Sequence, residues 1–152
     1  MKHRLFLRLG RRGICLVLIG LVFFFQGLGN FLARNDFITI PRDGVTYRTF
    51  RLATEIAPFG WWGIAFMIAG IIAIISSQWP PGKDVWGWAA LTFMSTVWSG
   101  VYISGWIFYG ANRAWVGGAL FVCIAAMTQV LAGWPEDPTS YHEHLKGEGT
   151  DG

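Results

Sequence analysis

Formal charge disappears from this chain over long intervals. Between Glu55 and Glu136 only Lys83, Asp84 and Arg113 are charged, and they cut the interval into three apolar blocks. A further block lies upstream, at its purest from Ile14 to Phe25. A bilayer's hydrocarbon core is about 30 Å thick and takes about 20 apolar helical residues to cross. The blocks therefore predict an all-α integral membrane protein with four transmembrane helices, over residues 13–33, 58–77, 85–109 and 114–134.

Helix-breaking residues set the limits. Pro58 suits a first helical turn, where its missing N–H would be unpaired anyway. Pro80, Pro81 and Gly82 stop the second span, and Asp84 is placed to cap the third. A tight turn at Gly110, Ala111, Asn112 and Arg113 makes the third and fourth spans antiparallel neighbours, and Pro135 ends the fourth. The first block has a second reading as a cleavable signal peptide, with a basic n-region and a small-x-small Gly27-Leu28-Gly29. Its apolar character continues through Phe31, Leu32 and Ala33, which favours an uncleaved span.

The one sizeable connection is residues 34–57. Phe37, Ile38, Thr39 and Ile40, and then Val45, Thr46, Tyr47, Arg48, Thr49 and Phe50, are rich in β-branched and aromatic types. Pro41, Arg42, Asp43 and Gly44 between them have turn chemistry, so a short β-hairpin-like loop is expected here. Arg51 to Ile56 would then lead helically into Pro58, along the membrane interface.

Composition reinforces the lipid reading. Charged residues make up 14% of the chain, against about 25% in an ordinary globular domain, too few to cover a water-facing surface. Eight of the nine tryptophans fall near block ends, where the interface accepts both ring and N–H, while Trp98 sits mid-block as a packing residue. Cys15 and Cys123 lie within blocks and suggest neither a disulfide nor a metal site.

Charge distribution sets the topology. Lys2, Arg4, Arg8, Arg11 and Arg12 form a basic arm over residues 1–12, and residues 135–152 form an acidic tail expected to be disordered. With the arm inside, seven basic residues lie on the cytoplasmic side and five opposite, and the dense cluster before the first span dominates. Both termini are thus expected in the cytoplasm, the loop outside it, and the protein in the cytoplasmic (inner) membrane. The arm is expected on lipid headgroups rather than nucleic acid.

No ionisable residue falls near mid-depth, which argues against ion-coupled transport. No phosphate loop, nucleophile elbow or metalloprotease motif occurs, so neither an enzyme nor a cofactor is expected. His142-Glu143-His144 is too small a cluster for a metal site. What remains is a polar stripe on the third span, Thr92, Ser95, Thr96 and Ser99, within about a third of the helix circumference at about 100° per residue. It fits a helix–helix contact or the lining of a wet path between assembled copies. Gln26 and Asn30 share a face of the first span, and Thr128 and Gln129 raise the same alternatives in the fourth. Small residues four apart, Ala65 with Ala69 and Ser95 with Ser99, offer further contacts.

The basic arm, four spans, short turns and charged tail, with the run Glu55-Ile56-Ala57-Pro58-Phe59-Gly60-Trp61-Trp62-Gly63, resemble the small four-span holin-like proteins of actinobacteriophage lysis regions. The resemblance implies a pore-forming or membrane-permeabilising protein that oligomerises in the host cell membrane. The competing expectation is a non-catalytic interaction protein, either an accessory subunit of a membrane complex or a superinfection-exclusion factor. Its working surface would be residues 35–50 or the acidic tail. Both expectations require self-association or a membrane-protein partner.

Overall fold

The computed structural model describes residues 10–33, 44–79 and 83–133, and among them every regular element is a helix. In chain order these are α1 (Arg11–Leu32), α2 (Val45–Ile56), α3 (Phe59–Ser76), α4 (Val85–Tyr109) and α5 (Ala114–Ala132). Three of them, α1, α3 and α5, are long and apolar enough to cross a membrane. Length and composition thus make this a multi-pass helical membrane protein.

One expectation is overturned. Val45 to Phe50 is not a strand but the first half of α2, an amphipathic helix continuing to Ile56. Residues 37–43, the other arm and turn of the expected hairpin, lie outside the described residues. The reason is visible in the packing. On a helix, Thr49 and Ala53 fall one turn apart and are both buried, while Arg48, Arg51 and Glu55 remain exposed. A strand would have sent Phe50 to the face opposite Thr49, whereas on the helix both pack against α4, Phe50 on Trp98 and Tyr102 and Thr49 at Gly105.

Helix α4 is central and touches all four other helices. Its antiparallel partner α5 follows a tight reversal. Gly110 adopts the left-handed conformation at φ 68°, and the Ala111 N–H reaches back 3.0 Å to the Gly105 carbonyl. That geometry satisfies a carbonyl the helix end would otherwise leave open. Helix α5 packs chiefly on α4 and leaves most of its circumference exposed.

The tightest pair is α1 with α3. Burial of apolar area does not drive association between helices already in lipid, so close packing must come from backbone approach. Gly20 faces Gly70 and Gly27 faces Gly63, at a separation that leaves no room for a side chain at any of the four positions. Between these contacts the rings of Phe23 and Phe66 meet at 5.4 Å, both almost fully buried. Leu16 and Ala73 extend the seam with no exposed surface.

An aromatic hub joins the remaining elements. The ring of Trp98 lies 5.2 Å from Phe66, 5.4 Å from Trp62 and 5.9 Å from Phe50. Phe50 also meets Phe59 at 5.7 Å and Tyr102 at 5.2 Å. Through these contacts α2 is fastened to α3 and α4.

Candidate functional site

The polar stripe on α4 lies along the seam with α5. Thr92 Oγ1 is 2.8 Å from Thr128 Oγ1, and Gln129 Nε2 donates to Thr92 Oγ1 at 3.0 Å. Thr128 commits its hydroxyl hydrogen to the Ala125 carbonyl at 2.8 Å, so Thr92 is the donor across the seam. The result is a directional relay from the Gln129 amide through two hydroxyls to a backbone carbonyl. A further bond crosses from Ser99 Oγ to the Gly118 carbonyl at 3.2 Å. Here α5 can approach closely because Tyr102 lies against Gly117 and Ile103 against Gly118.

The other two stripe residues bond to their own helix. Ser95 is fully buried and donates to the Leu91 carbonyl at 2.8 Å. Thr96 is exposed and donates to the Thr92 carbonyl at 2.9 Å. Of the four, then, Thr92 and Ser99 reach α5, Ser95 is closed in the core, and Thr96 faces outward.

Gln26 and Asn30 come together along α1 rather than across to a neighbouring helix. Gln26 Nε2 donates to Asn30 Oδ1 at 3.5 Å, a long contact, and Asn30 Nδ2 is buried with no hydrogen-bond partner. Of the basic arm, Lys2, Arg4 and Arg8 lie outside the described residues. Arg11 is exposed at the start of α1. Arg12 is drawn inward.

The Arg12 contact was not foreseen from the sequence. Arg12 Nη2 lies 3.1 Å from Asp84 Oδ2 and donates to Oδ1 at 3.3 Å, with 13% of the arginine side chain and 6% of the aspartate side chain exposed. Trp88 Nε1 donates to the same Oδ2 at 2.9 Å. The Asp84 carboxylate therefore makes no side-chain cap to α4, contrary to expectation. It clasps the start of α1 to the start of α4. A carboxylate of this burial needs a cationic partner, and Arg12 sits where one is required.

At the opposite end, α2 is held by both its faces. Gly105 on α4 leaves room for the Thr49 backbone, which a side chain there would strike at 2.6 Å. Trp62 Nε1 donates to the Ala53 carbonyl at 2.9 Å. On the outer face Arg51 Nε meets Glu55 Oε1 at 2.8 Å, and the guanidinium lies 5.0 Å from the Tyr109 ring centroid. The hydrogen bond to Glu55, followed by the attraction between their charges, holds Arg51 above its ordinary pKa. Arg51 therefore stays cationic at any working pH.

Three features carried little sequence signal. The glycines of the α1–α3 seam recur at seven-residue steps, Gly20 with Gly27 and Gly63 with Gly70, a spacing that could have been read as a heptad. The Arg12–Asp84 clasp joins residues 72 apart in sequence. The helical face of α2 was masked by its strand-like residue types. No His, Cys, Asp and Glu cluster able to hold a metal ion occurs among the described residues, and the His142 to His144 run lies outside them.

In comparisons with known proteins, no family model, no curated protein and no solved structure matches the chain. The class rests on the chain's own features: a multi-pass helical membrane protein with a closed polar seam and a docked amphipathic helix.

Proposed function

We propose that this is a non-catalytic four-span protein of the cytoplasmic membrane that works by binding other membrane proteins, with both termini in the cytoplasm. Helix α4 is the third span in chain order and completes the four. Trp86 and Trp106 are exposed on it, and their spacing of about 20 residues corresponds to about 30 Å at the helical rise. That distance matches the hydrocarbon thickness, with each indole at an interface. Exposed Trp61 and Trp115 accompany Trp106 at one end, and Trp79 accompanies Trp86 at the other. The basic arm lies on anionic headgroups, and α2 rests at the outer interface.

The observation that carries the interaction reading is the closure of the α4 stripe. Thr92, Ser95, Thr96 and Ser99 all donate within the chain, two of them across to α5. Lining a wet path with these hydroxyls would require α5 to leave. The surface offered to a partner is instead the outer face of α2, fixed by the aromatic hub and the Arg51–Glu55 pair.

The holin-like reading has its own support in Thr96 and Gln129, which face outward at membrane depth. The two readings separate on the membrane potential of a bacterial host after controlled expression. An interaction protein leaves it unchanged, and the inserted chain crosslinks to a defined partner from the α2 face. Abrupt depolarisation with loss of viability would overturn the interaction reading in favour of pore formation.

A further inference from the structure

Gln129 is the exception to the closure of the α4–α5 seam. It stands exposed on α5, and its bond to Thr92 uses one N–H of the carboxamide. Among the described residues nothing donates to its Oε1, and its second N–H has no acceptor. Thr92 lies about six residues inward of the Trp86 belt, so this amide sits about 9 Å into the hydrocarbon. There, neither water nor headgroups supply the missing partners, and an unfilled amide is strongly disfavoured.

The surroundings of Gln129 permit close approach of another helix. Thr96 lies one turn beyond Thr92 on the same side of the seam and is exposed, and Gly100 beyond it is exposed with no atom near its missing side chain. On α5, Ala126 is exposed one turn from Gln129. Small residues flanking an amide are the arrangement by which membrane helices associate.

Resting on the four-span reading above, we propose that this flank of the α4–α5 seam is the interface with a second copy of the chain, closed by a reciprocal Gln129 pair. A carboxamide carries a donor and an acceptor side by side. Two of them related by a two-fold axis bond each other twice, each N–H to the other's Oε1. Such a contact is self-complementary, as a two-fold interface must be. It satisfies both open groups of Gln129 while leaving its bond to Thr92 in place. A second copy is therefore the occupant whose chemistry is guaranteed to match.

The test is oxidative crosslinking of the full chain in phosphatidylcholine vesicles, with Cys15 and Cys123 replaced by alanine. Ala126→Cys is expected to give a covalent dimer. Leu120→Cys, nine residues from Gln129 and so on the opposite face of α5, is also exposed and is expected to stay monomeric. Adding Gln129→Leu to Ala126→Cys should lower the dimer yield at least fivefold. Equal yields from positions 126 and 120, a monomer at both, or an unchanged yield with Gln129→Leu would each overturn the proposal. So would a crosslink from position 126 to a different protein in native membranes. The contrast between positions 126 and 120 is read on chains that keep Gln129, so it stands even if Gln129→Leu fails to fold. An impermeant maleimide tests the spanning reading separately: labelling at position 126 would remove α5 from the bilayer, whereas protection with no dimer overturns only the interface.

Discussion

A methyl group on Gly27 would lie 2.5 Å from the carbonyl oxygen of Gly63, and one on Gly63 would lie 2.7 Å from that of Gly27. The two helices touch backbone to backbone here, and neither backbone can yield without moving its helix. Gly27→Ala and Gly63→Ala should each destabilise the fold by about 1–3 kcal/mol. Gly29→Ala, facing open space on the same helix, should change stability by less than about 0.5 kcal/mol. Denaturant titration in detergent micelles measures both, and equal losses at Gly27 and Gly29 would refute the close contact.

The Arg12–Asp84 clasp predicts non-additive losses. Asp84→Asn removes the negative charge facing Arg12 and should cost about 3 kcal/mol, with a shift in tryptophan emission as the Trp88 contact changes. Replacing both residues by leucine should cost less than the sum of the two single leucine variants. A double-mutant cycle on unfolding free energies reads this directly, and strict additivity would mean the pair is not coupled.

Across the α4–α5 seam the expected coupling is smaller. A cycle of Thr92→Val and Thr128→Val should return about 0.6 kcal/mol, the usual scale for hydrogen bonds between membrane helices. Such bonds specify register more than they add stability. Gly118→Leu should do greater harm, since Ile103 occupies the space a side chain would need.

Docking of α2 is open to a local test. Gly105→Leu would drive a side chain into the Thr49 backbone and displace α2 without changing the apolar length of any other helix. Amide hydrogen exchange across Val45–Ile56 should accelerate at least tenfold while α1 and α3 remain protected. Unchanged exchange in α2 would show that Gly105 does not position it.

The long apolar blocks were legible because the bilayer demands continuous length, and length is written directly in the sequence. Three of the helices can be recognised that way. Helix α4 is diluted by Thr92, Ser95, Thr96, Ser99 and its four tryptophans, so its freedom from charge is what marks it in the sequence. For α2, local preference pointed to a strand through Val45, Thr46 and Tyr47. The helix wins because Gly105 opens a slot for Thr49 and Phe50 completes the ring cluster around Trp98, facts that exist only in three dimensions. Asp84 misled in a similar way. Its position suits a cap, but the arginine that takes its carboxylate lies on a helix formed much earlier in the chain. In the candidate site, residue types were readable and their partners were not: nothing in the spacing of Thr92 says that Thr128 and Gln129 will meet it.

The order of the chain gives the docking of α2 a temporal meaning. Helices α1 and α3 can close on each other once the ribosome has delivered both, since their contact surfaces lie wholly within the first half of the sequence. Helix α2, synthesised between them, has most of its seat on Trp98, Tyr102 and Gly105, which emerge later. Until those residues have been made, Phe50 lacks the rings of Trp98 and Tyr102 on which it packs, so α2 cannot take its final position before α4 exists. A docked Phe50, in contact with Phe59 on one helix and Trp98 and Tyr102 on the other, therefore reports that α3 and α4 have both come into place beside α2.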